Sequence, residues 1–564
     1  MIREDDPASR FVRARDLVLD VSSPSSYHLA ATCLEECIQN HSGCPPPQSA
    51  QLPTRVIDCL NPEKPKLLLG GNMRGSYAAL SYVWGEKQPH STTQENLENY
   101  LTSGINLSLL PKTIRDAVDS TCRFNLRYLW VDALCILQDS REDKDREIQQ
   151  MRRIFEHAHV TLIAASAQRV GEGFLHDRPR LLPYTRLPFI CPDNGKIGSM
   201  SLSPVGKEYD DKQEPVNNRA WCLEERLLSP RAFIYASHTL QFHCQTHTIN
   251  IGDSIYTPRS GGRLPQLVFS PMTPLPLSKE DASYVRVTWH EIVDNYTSRH
   301  VTKQRDKLLA LAGVAEKFHR IIEGGYMAGL WRQTLLRDLL WMKDYSAYAP
   351  RPEKYRAPSW SWAAVDGRVV YSDFDSRLDP DRYKIMECHV LECEVSLVNR
   401  NLPFGRLDGG TLTVCSPLKR VAWNPGSPSP MLYEYAAPVE DDRCHHHAEI
   451  DRQMIGLRPL CDAYPDCMNE VSSPPGEAWA LPILWNVKEV IQANALPFFD
   501  HLHDLTMSND CYIFKRNAEL FRRTAYTFDV DIVEHANATN HEEKPSVVVE
   551  PSCGNEEKDP ERRE

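Results

Sequence analysis

The sequence predicts an α/β fold with a mostly parallel sheet flanked by helices, followed by a helical segment and a β-rich C-terminal region. Short apolar, β-prone runs alternate with helical patterns over residues 77–165, as they do in βαβ units. Apolar residues recur at helical spacing over residues 308–318. Beyond Pro352 the hydrophobic period falls to two, as in residues 391–397 and 526–532, which indicates strands.

The elements of the α/β part have local causes. The apolar run at residues 77–83 ends in Trp84-Gly85, which predicts a buried strand followed by a turn. Pro111 suits the first turn of a helix, because an N–H there would have no helical partner. Further buried strands are predicted at residues 127–132 and 160–165, and further helices at residues 30–40, 148–155 and 218–228.

Five regions are expected along the chain, from their composition and periodicity. They are an N-terminal extension (1–65), the α/β domain (66–250), a helical region (280–345), a β-rich region (350–535) and a disordered tail (536–564). The tail is charged and holds few large apolar residues, so it is not expected to bury enough surface to offset its ordering entropy.

Composition excludes several classes of protein. The 564 residues carry 76 acidic and 64 basic side chains, so no nucleic-acid partner is expected, because such a partner requires a basic surface. No stretch approaches the roughly 20 apolar residues that span a bilayer, and the N-terminus lacks an apolar signal segment. The 17 scattered cysteines are unlike a secreted disulfide framework. We therefore expect a cytoplasmic protein without a membrane partner.

Four segments have an unusual composition. They read Ala-Leu-Ser-Tyr-Val-Trp-Gly (79–85), Leu-Trp-Val-Asp-Ala-Leu-Cys-Ile-Leu-Gln-Asp (129–139), Arg-Ala-Trp-Cys-Leu-Glu-Glu-Arg-Leu-Leu-Ser (219–229) and Arg-Ala-Pro-Ser-Trp-Ser-Trp-Ala (356–363). In content and order these segments resemble the marks of the fungal heterokaryon-incompatibility (HET) domain family. One departure is Glu224, which stands where the family usually has Gln.

The resemblance implies non-self recognition between fusing fungal cells that ends in programmed cell death. It implies other incompatibility or signalling proteins as partners, and self-association. HET domains are also distantly similar to Toll/interleukin-receptor (TIR) domains, some of which cleave NAD. The Trp-Cys-Leu-Glu-Glu run at residues 221–225 is similar to the segment that holds the glutamate of those enzymes. This second likeness implies Glu225 as the catalytic residue and NAD as the substrate.

The residues at the predicted strand ends suit such a ligand, because open α/β sheets bind ligands beyond the carboxyl ends of their strands. Trp84 could stack on a nicotinamide ring, Asp132 could bind ribose hydroxyls, and Gln138 could bind an amide. Glu225 could stabilise the positive charge that develops on the sugar during N-glycosidic cleavage. The expected binding set is Ser81, Trp84, Gly85 (for close backbone approach), Asp132, Cys135, Gln138 and Trp221.

Each of these residues also has a structural interpretation. Trp84 and Trp221 could be core aromatics, since such side chains bury a large area. Asp132 could cap the turn that follows it, and Cys135 could be a small buried hydrophobe. Glu225 could pair with Arg219 or Arg231. The domain is then either an NAD-consuming enzyme or a non-catalytic interaction module.

Two other chemistries are less favoured. Cys135 with His157 or His159 suggests a thiol nucleophile and its base, but their spacing does not determine the geometry. Cys-x3-His-x2-Cys at residues 37–44, with Cys33 and Cys59 nearby, suggests zinc. That pattern lacks a clear fourth ligand, so small buried thiols on a short helix are favoured and no metal is expected.

A second Cys/His cluster lies towards the C-terminus. Residues 444–447 read Cys-His-His-His and are followed by Cys461 and Cys467. The surrounding polar and proline-rich composition favours a loop. If either cluster did bind a metal, the protein could instead be an intracellular metal-binding protein.

Overall fold

The computed structural model describes residues 6–415, apart from 13–14, 16, 48, 180–184, 203–208, 253–261, 345–348, 372–382 and 386–387, and beyond residue 415 it describes strands only. The chain divides into two units. The first comprises Met1–Thr273 with Arg299–Val301, and the second comprises Pro274–Ser298 with Thr302–Glu564. Among the described residues, no helix is both long and apolar enough to cross a bilayer.

The first unit is built from helices and short strands. Its helices are α1 (Pro24–Asn40), α2 (Leu97–Thr102), α3 (Lys112–Arg123), α4 (Asp132–Cys135), α5 (Arg141–His157), α6 (Ala220–Leu228) and α7 (Gln266–Phe269). Its strands are β1 (Ala50–Gln51), β2 (Arg55–Asp58), β3 (Lys66–Leu69), β4 (Arg74–Gly75), β5 (Tyr77–Ser81), β6 (Tyr128–Trp130), β7 (Val160–Ile163), β8 (Thr185–Ile190), β9 (Ile197–Leu202), β10 (Arg231–Tyr235), β11 (Leu240–Cys244) and β12 (Thr248–Asn250).

Eight of these strands form one sheet, in the order β12-β11-β10-β7-β5-β6-β2-β3. Strands β10, β7, β5 and β6 are parallel to their neighbours within this central group. The remaining pairings are antiparallel, because hairpins extend both edges. An α/β sheet is confirmed, and the strands over residues 77–165 are parallel as predicted. The whole sheet, however, is mixed and not mostly parallel. Strand β2 also brings residues before 66 into the sheet.

The order of the parallel strands creates a reversal in the centre of the sheet. From β5 the chain passes through α3 to β6 on one side, and then through α5 to β7 on the other side of β5. In doubly wound folds such a reversal opens a crevice at the carboxyl ends of the two central strands. Here those ends are Ser81 and Ile163, which pair in register.

The burial of the central strands and the start of two helices agree with local sequence patterns. Strands β5, β6 and β7 are buried along their whole length, as their continuous apolar runs predict. Helix α5 begins at Ser140, whose side chain accepts a hydrogen bond from the N–H of Asp143. Helix α1 begins in the same way, with Ser23 as its N-cap and Pro24 in its first turn.

The described part of the second unit contains three α-helices and many short strands. The helices are α8 (Lys279–Thr297), α9 (Ala312–His319) and α10 (Leu335–Asp338). The strands are β13 (Tyr326–Met327), β14 (Leu330–Trp331), β15 (Trp341–Lys343), β16 (Val369–Tyr371), β17 (Tyr383–Ile385), β18 (His389–Leu397), β19 (Leu407–Cys415), β20 (Lys419–Asn424), β21 (Met431–Tyr435), β22 (Leu457–Asp462), β23 (Glu477–Pro482), β24 (Leu484–Asn486), β25 (Ile513–Arg516), β26 (Phe528–Ile532) and β27 (Ser546–Pro551).

Two antiparallel sheets, β18-β19-β27-β26 and β22-β21-β20-β23-β25, lie in the C-terminal part of this unit. Strand β27 belongs to the segment that the sequence predicts to be disordered, yet it pairs with β19 and β26. The prediction of disorder therefore does not hold for Ser546–Pro551. The other residues of 536–564 lie outside the described part of the chain.

Tryptophans form the core of the second unit. The indole N–H groups of Trp289 and Trp362 both donate to the carbonyl of Gly329, at 3.1 and 3.0 Å. Gly329 has a φ of +98°, and a Cβ there would lie 2.6 Å from the Trp362 ring. The Ala-Pro-Ser-Trp-Ser-Trp motif therefore contributes to the packing of this core.

Candidate functional site

The predicted site residues of the first two motifs meet at the carboxyl edge of the sheet. The indole Nε1 of Trp84, just after β5, donates to Oδ2 of Asp132, just after β6, at 2.8 Å. Because β5 and β6 are adjacent parallel strands, their carboxyl ends emerge side by side. The prediction that these two segments share one edge is confirmed.

Helix α6 brings the third motif to the same edge. Its first N–H, at Ala220, donates to the carbonyl of His300 at 3.0 Å, and the His300 N–H donates to the carbonyl of Asn218 at 2.7 Å. Arg299 donates to the side-chain oxygen of Asn217 at 3.1 Å. The short segment Arg299–Val301 thus holds the start of α6 in place.

Arg219, immediately before α6, links the three motifs. Its Nη1 donates to the carbonyl of Tyr82 at 2.6 Å, and its Nη2 lies 3.8 Å from Oδ2 of Asp132. The second carboxylate oxygen of Asp132 accepts from the N–H of Ala133 at 2.7 Å. Asp132 therefore caps the turn that follows it and also positions Trp84.

Glu225 lies inside this arrangement and is only 4% exposed. Burial raises the pKa of its carboxyl to about 7, although the Arg219 charge and the neighbouring Ser81 hydroxyl act in the opposite direction. Its Oε2 has no hydrogen-bond partner among the described residues. At neutral pH the carboxyl therefore populates both protonation states.

Cys222 lies beside Glu225, and its thiol donates to the carbonyl of Tyr82 at 3.7 Å. Burial, together with the nearby carboxyl of Glu225, raises the pKa of this thiol to about 12. Cys222 is therefore a neutral thiol at physiological pH. It packs against the candidate acid–base group and does not act as a nucleophile.

Gly85 does have the left-handed conformation that favours glycine, with a φ of +66°. A Cβ at this position would lie 2.5 Å from Cβ of Arg169 and 2.9 Å from the carbonyl of Gln168. The close approach expected at Gly85 is therefore made by a loop of the chain itself.

Gln138 turns back onto its own loop. Its Nε2 donates to the carbonyls of Asp132 at 3.0 Å and Ile136 at 3.1 Å. Its amide N–H groups therefore hold the loop after β6 in shape. Trp84 and Trp221 are both half-buried, so neither ring is a fully buried core aromatic.

The Cys135–His pairing is contradicted by the structure. Cys135 follows β6 and is completely buried, and burial raises the pKa of its thiol to about 12. His159 lies at the opposite edge of the sheet, where its N–H donates to the carbonyl of Tyr77 at the start of β5. His157 lines a cavity at that same edge together with Tyr77. Neither histidine can serve as a base for Cys135.

Sequence reasoning missed the central role of Arg219, which it treated only as a partner for Glu225. The position of Arg219 as the first residue of the Arg-x-Trp motif is the feature of the sequence that could have indicated this role. The other predicted partner, Arg231, points elsewhere, because its Nε donates to Sγ of Cys37. The C-terminal cluster at residues 444–447 lies outside the described residues.

A comparison with known protein families bears on the same segment. Residues 77–225 match the family model described as heterokaryon incompatibility protein (HET). The chain is also similar to heterokaryon incompatibility protein 6, OR allele, of Neurospora crassa, with 32% identity over 99 residues. That similarity covers 16% of this chain and 14% of the relative. No solved structure matches the chain significantly. The match spans the site from Ser81 to Glu225, so residues 77–225 of this chain are identified as a HET domain.

Proposed function

We propose that this protein acts in heterokaryon incompatibility, and that its HET domain cleaves the nicotinamide–ribose bond of NAD. The family match and the similarity to an incompatibility protein of Neurospora crassa support the biological role. We place this action in the cytoplasm, where cleavage of NAD would bring about cell death. Other incompatibility or signalling proteins, and further copies of the chain, are the proposed partners.

The buried carboxyl of Glu225 is the observation that carries the chemistry. It lies at the carboxyl edge of the sheet, beside the reversal of strand order, and its pKa is about 7. Desolvated carboxyls with raised pKa values occur preferentially at functional sites. Arg219, which reaches both Tyr82 and Asp132, supplies the compensating positive charge.

In the proposed reaction the bond between the ribose C1 and the nicotinamide nitrogen breaks, and the electron pair leaves with nicotinamide. The charge left on the sugar is stabilised by the carboxylate form of Glu225, whose low-dielectric surroundings strengthen the interaction. Water then adds to C1 and loses a proton, which gives ADP-ribose. Trp84, fixed by Asp132, offers a half-buried ring on which the nicotinamide can stack.

One observation favours the alternative of a non-catalytic interaction module. Ser81, Cys222 and Glu225 are only 1%, 2% and 4% exposed, so the carboxyl is closed off from solvent in this conformation. Catalysis therefore requires a rearrangement that exposes this carboxyl to the substrate. We propose that binding of a partner, or self-association, triggers this opening.

The test compares two neighbouring substitutions on α6. The purified full-length chain is incubated with NAD at a protein concentration high enough for the proposed self-association, and nicotinamide release is followed. Glu225→Gln should lose about a hundredfold or more in rate, as expected when an electrostatic stabiliser is removed. Glu224→Gln, which makes the same chemical change one residue earlier, should keep the rate.

Expression in a host cell separates the two candidate functions. The wild-type chain should deplete NAD and kill the cell, whereas Glu225→Gln should do neither. If Glu225→Gln kills as efficiently as the wild type while NAD stays level, the enzymatic proposal fails. The interaction module would then be the better account.

A further inference from the structure

Four side chains of types that bind metal ions meet in the first unit, between the end of α1 and the end of β11. Cys37 lies in the last turn of α1, His41 follows that helix, Cys44 lies three residues further on, and Cys244 ends β11. The four ligand atoms all lie within 4.8 Å of one another. Nδ1 of His41 is 3.4 Å from Sγ of Cys244 and 3.9 Å from Sγ of Cys44.

Local structure explains how the first three ligands converge. The N–H of His41 donates to the carbonyl of Cys37 at 3.3 Å, which closes the helix. The N–H of Cys44 then donates to the carbonyl of His41 at 3.1 Å, which forms a tight turn. The fourth ligand comes from the hairpin of β11 and β12, 203 residues beyond His41.

We propose that Cys37, His41, Cys44 and Cys244 bind one Zn²⁺ ion. Three thiolates and one imidazole are a common ligand set of structural zinc sites. With Zn–S near 2.3 Å and Zn–N near 2.1 Å, a tetrahedral site places its ligand atoms about 3.5 to 3.8 Å apart. The sulfur–nitrogen distances of 3.4 and 3.9 Å fit this spacing.

Hydrogen bonds around the sulfur atoms support the assignment. Nε of Arg231 donates to Sγ of Cys37 at 3.3 Å, and the N–H of His247 donates to Sγ of Cys244 at 3.3 Å. The hydroxyl of Thr246 lies 3.3 Å from Sγ of Cys44. Such outer contacts orient metal ligands and stabilise thiolates. Three thiolates and Zn²⁺ carry a net charge of −1, which the buried Arg231 offsets.

The proposed site would be structural. Cys37, Cys44 and Cys244 are at most 7% exposed, and four protein ligands leave no open position for a substrate. The ion would join α1 and the turn after it to the edge of the sheet. Because Cys244 is far from the other three ligands in the sequence, binding would contribute directly to the stability of the folded unit.

The three thiols are free in the structure, so a disulfide is the main rival. Two of the cysteines could pair and would leave the third unpaired, and such a bond would compete directly with the metal. The experiment therefore measures both the metal content and the oxidation state of the cysteines.

The full-length chain is purified under reducing conditions without chelator, and zinc is measured by elemental mass spectrometry. We expect about one zinc per chain, which is the content of a closed four-ligand site. Cys44→Ser and Cys244→Ser should lose the zinc. Cys33→Ser, a change one turn earlier on α1, should retain it. His41→Cys should also retain it, because four thiolates bind zinc as well.

A spectroscopic measurement does not depend on the variants. After the zinc is removed, Co²⁺ should bind and show the visible absorption of tetrahedral thiolate-bound cobalt. The proposal is overturned if the wild-type chain contains no zinc and takes up neither Zn²⁺ nor Co²⁺ after reduction. It is also overturned if mass spectrometry of the reductant-purified chain finds Cys37, Cys44 or Cys244 in a disulfide. Because both measurements use the wild-type chain, a variant that fails to fold leaves the test intact.

Discussion

The indole of Trp84 and the carboxylate of Asp132 join the ends of two neighbouring parallel strands through a hydrogen bond of 2.8 Å. This contact connects the first two motifs of the domain. It also places an aromatic ring at the edge of the sheet where Arg219, the N-cap of α6, and Glu225, within α6, lie.

The strength of this contact can be measured with a double-mutant cycle. Trp84→Phe removes the donor and Asp132→Ala removes the acceptor. Hydrogen bonds to charged groups contribute about 1.5 to 3 kcal/mol, so each variant should lower the free energy of unfolding. The double variant should lose less than the sum, with a coupling of about 1 kcal/mol or more. Strict additivity in denaturant unfolding would show that the pair is not coupled.

The proposed activity should depend on pH through Glu225. Its pKa of about 7 means that the carboxylate fraction rises as the pH passes from 6 to 8. Since the carboxylate is the form that stabilises the sugar cation, the rate of nicotinamide release should rise over the same range. Any residual rate of the Glu225→Gln variant should not show this rise with pH. A rate that falls across this window would assign the working role to the protonated form.

The same carboxyl should make stability depend on pH in the opposite direction. Its pKa is raised on folding from the usual 4.5 to about 7, so the folded state holds the proton more tightly than the unfolded state. Stability is therefore lost as the pH rises through this range. Glu225→Gln should gain about 2 kcal/mol over the wild type between pH 5 and pH 8. Glu95→Gln, at an exposed position, is the control. Equal gains in stability for both variants would contradict the raised pKa of Glu225.

A buried ion cluster ties the N-terminal extension to α5. Arg55 on β2 pairs with Asp143 and lies 3.8 Å from Glu147, and all three side chains are at most 5% exposed. Arg55→Ala would leave two buried carboxylates with only the largely exposed Arg146 as their cation. Removing the buried partner of such a cluster typically costs about 3 to 5 kcal/mol. Arg127→Ala, which breaks a more exposed pair with Asp58, should cost about 1 kcal/mol or less. Similar losses in chemical denaturation would contradict a special role for the cluster.

Gly85 and Gly71 form a matched pair for testing the loop contact. Both have positive φ values, of +66° and +50°. A Cβ at Gly85 would clash with Arg169, whereas one at Gly71 would meet nothing within 4 Å. Each Ala substitution should cost about 1 to 2 kcal/mol for its left-handed backbone. Gly85→Ala should lower the free energy of unfolding further because of the clash. Equal losses would show that the 168–169 loop adjusts freely.

Local pattern was enough to predict the central elements. Strands β5 and β7 are buried apolar runs, and the turn at Trp84-Gly85 follows from glycine's freedom at positive φ. The pattern also predicts Trp84 and Asp132 at one edge of the sheet, because both follow parallel strands. The motifs also predicted the match to the HET family, because several short patterns in a fixed order are specific together.

Local sequence patterns thus account for the central strands and helices and for the residues that stand at their ends. Tertiary structure alone decided that β2 joins the sheet, that Arg219 reaches Tyr82, and that Cys244 completes the group around His41. These contacts join residues far apart in the sequence, and periodicity carries no information about such pairs. The raised pKa of Glu225 was equally hidden, because it depends on how completely the fold removes water from one carboxyl.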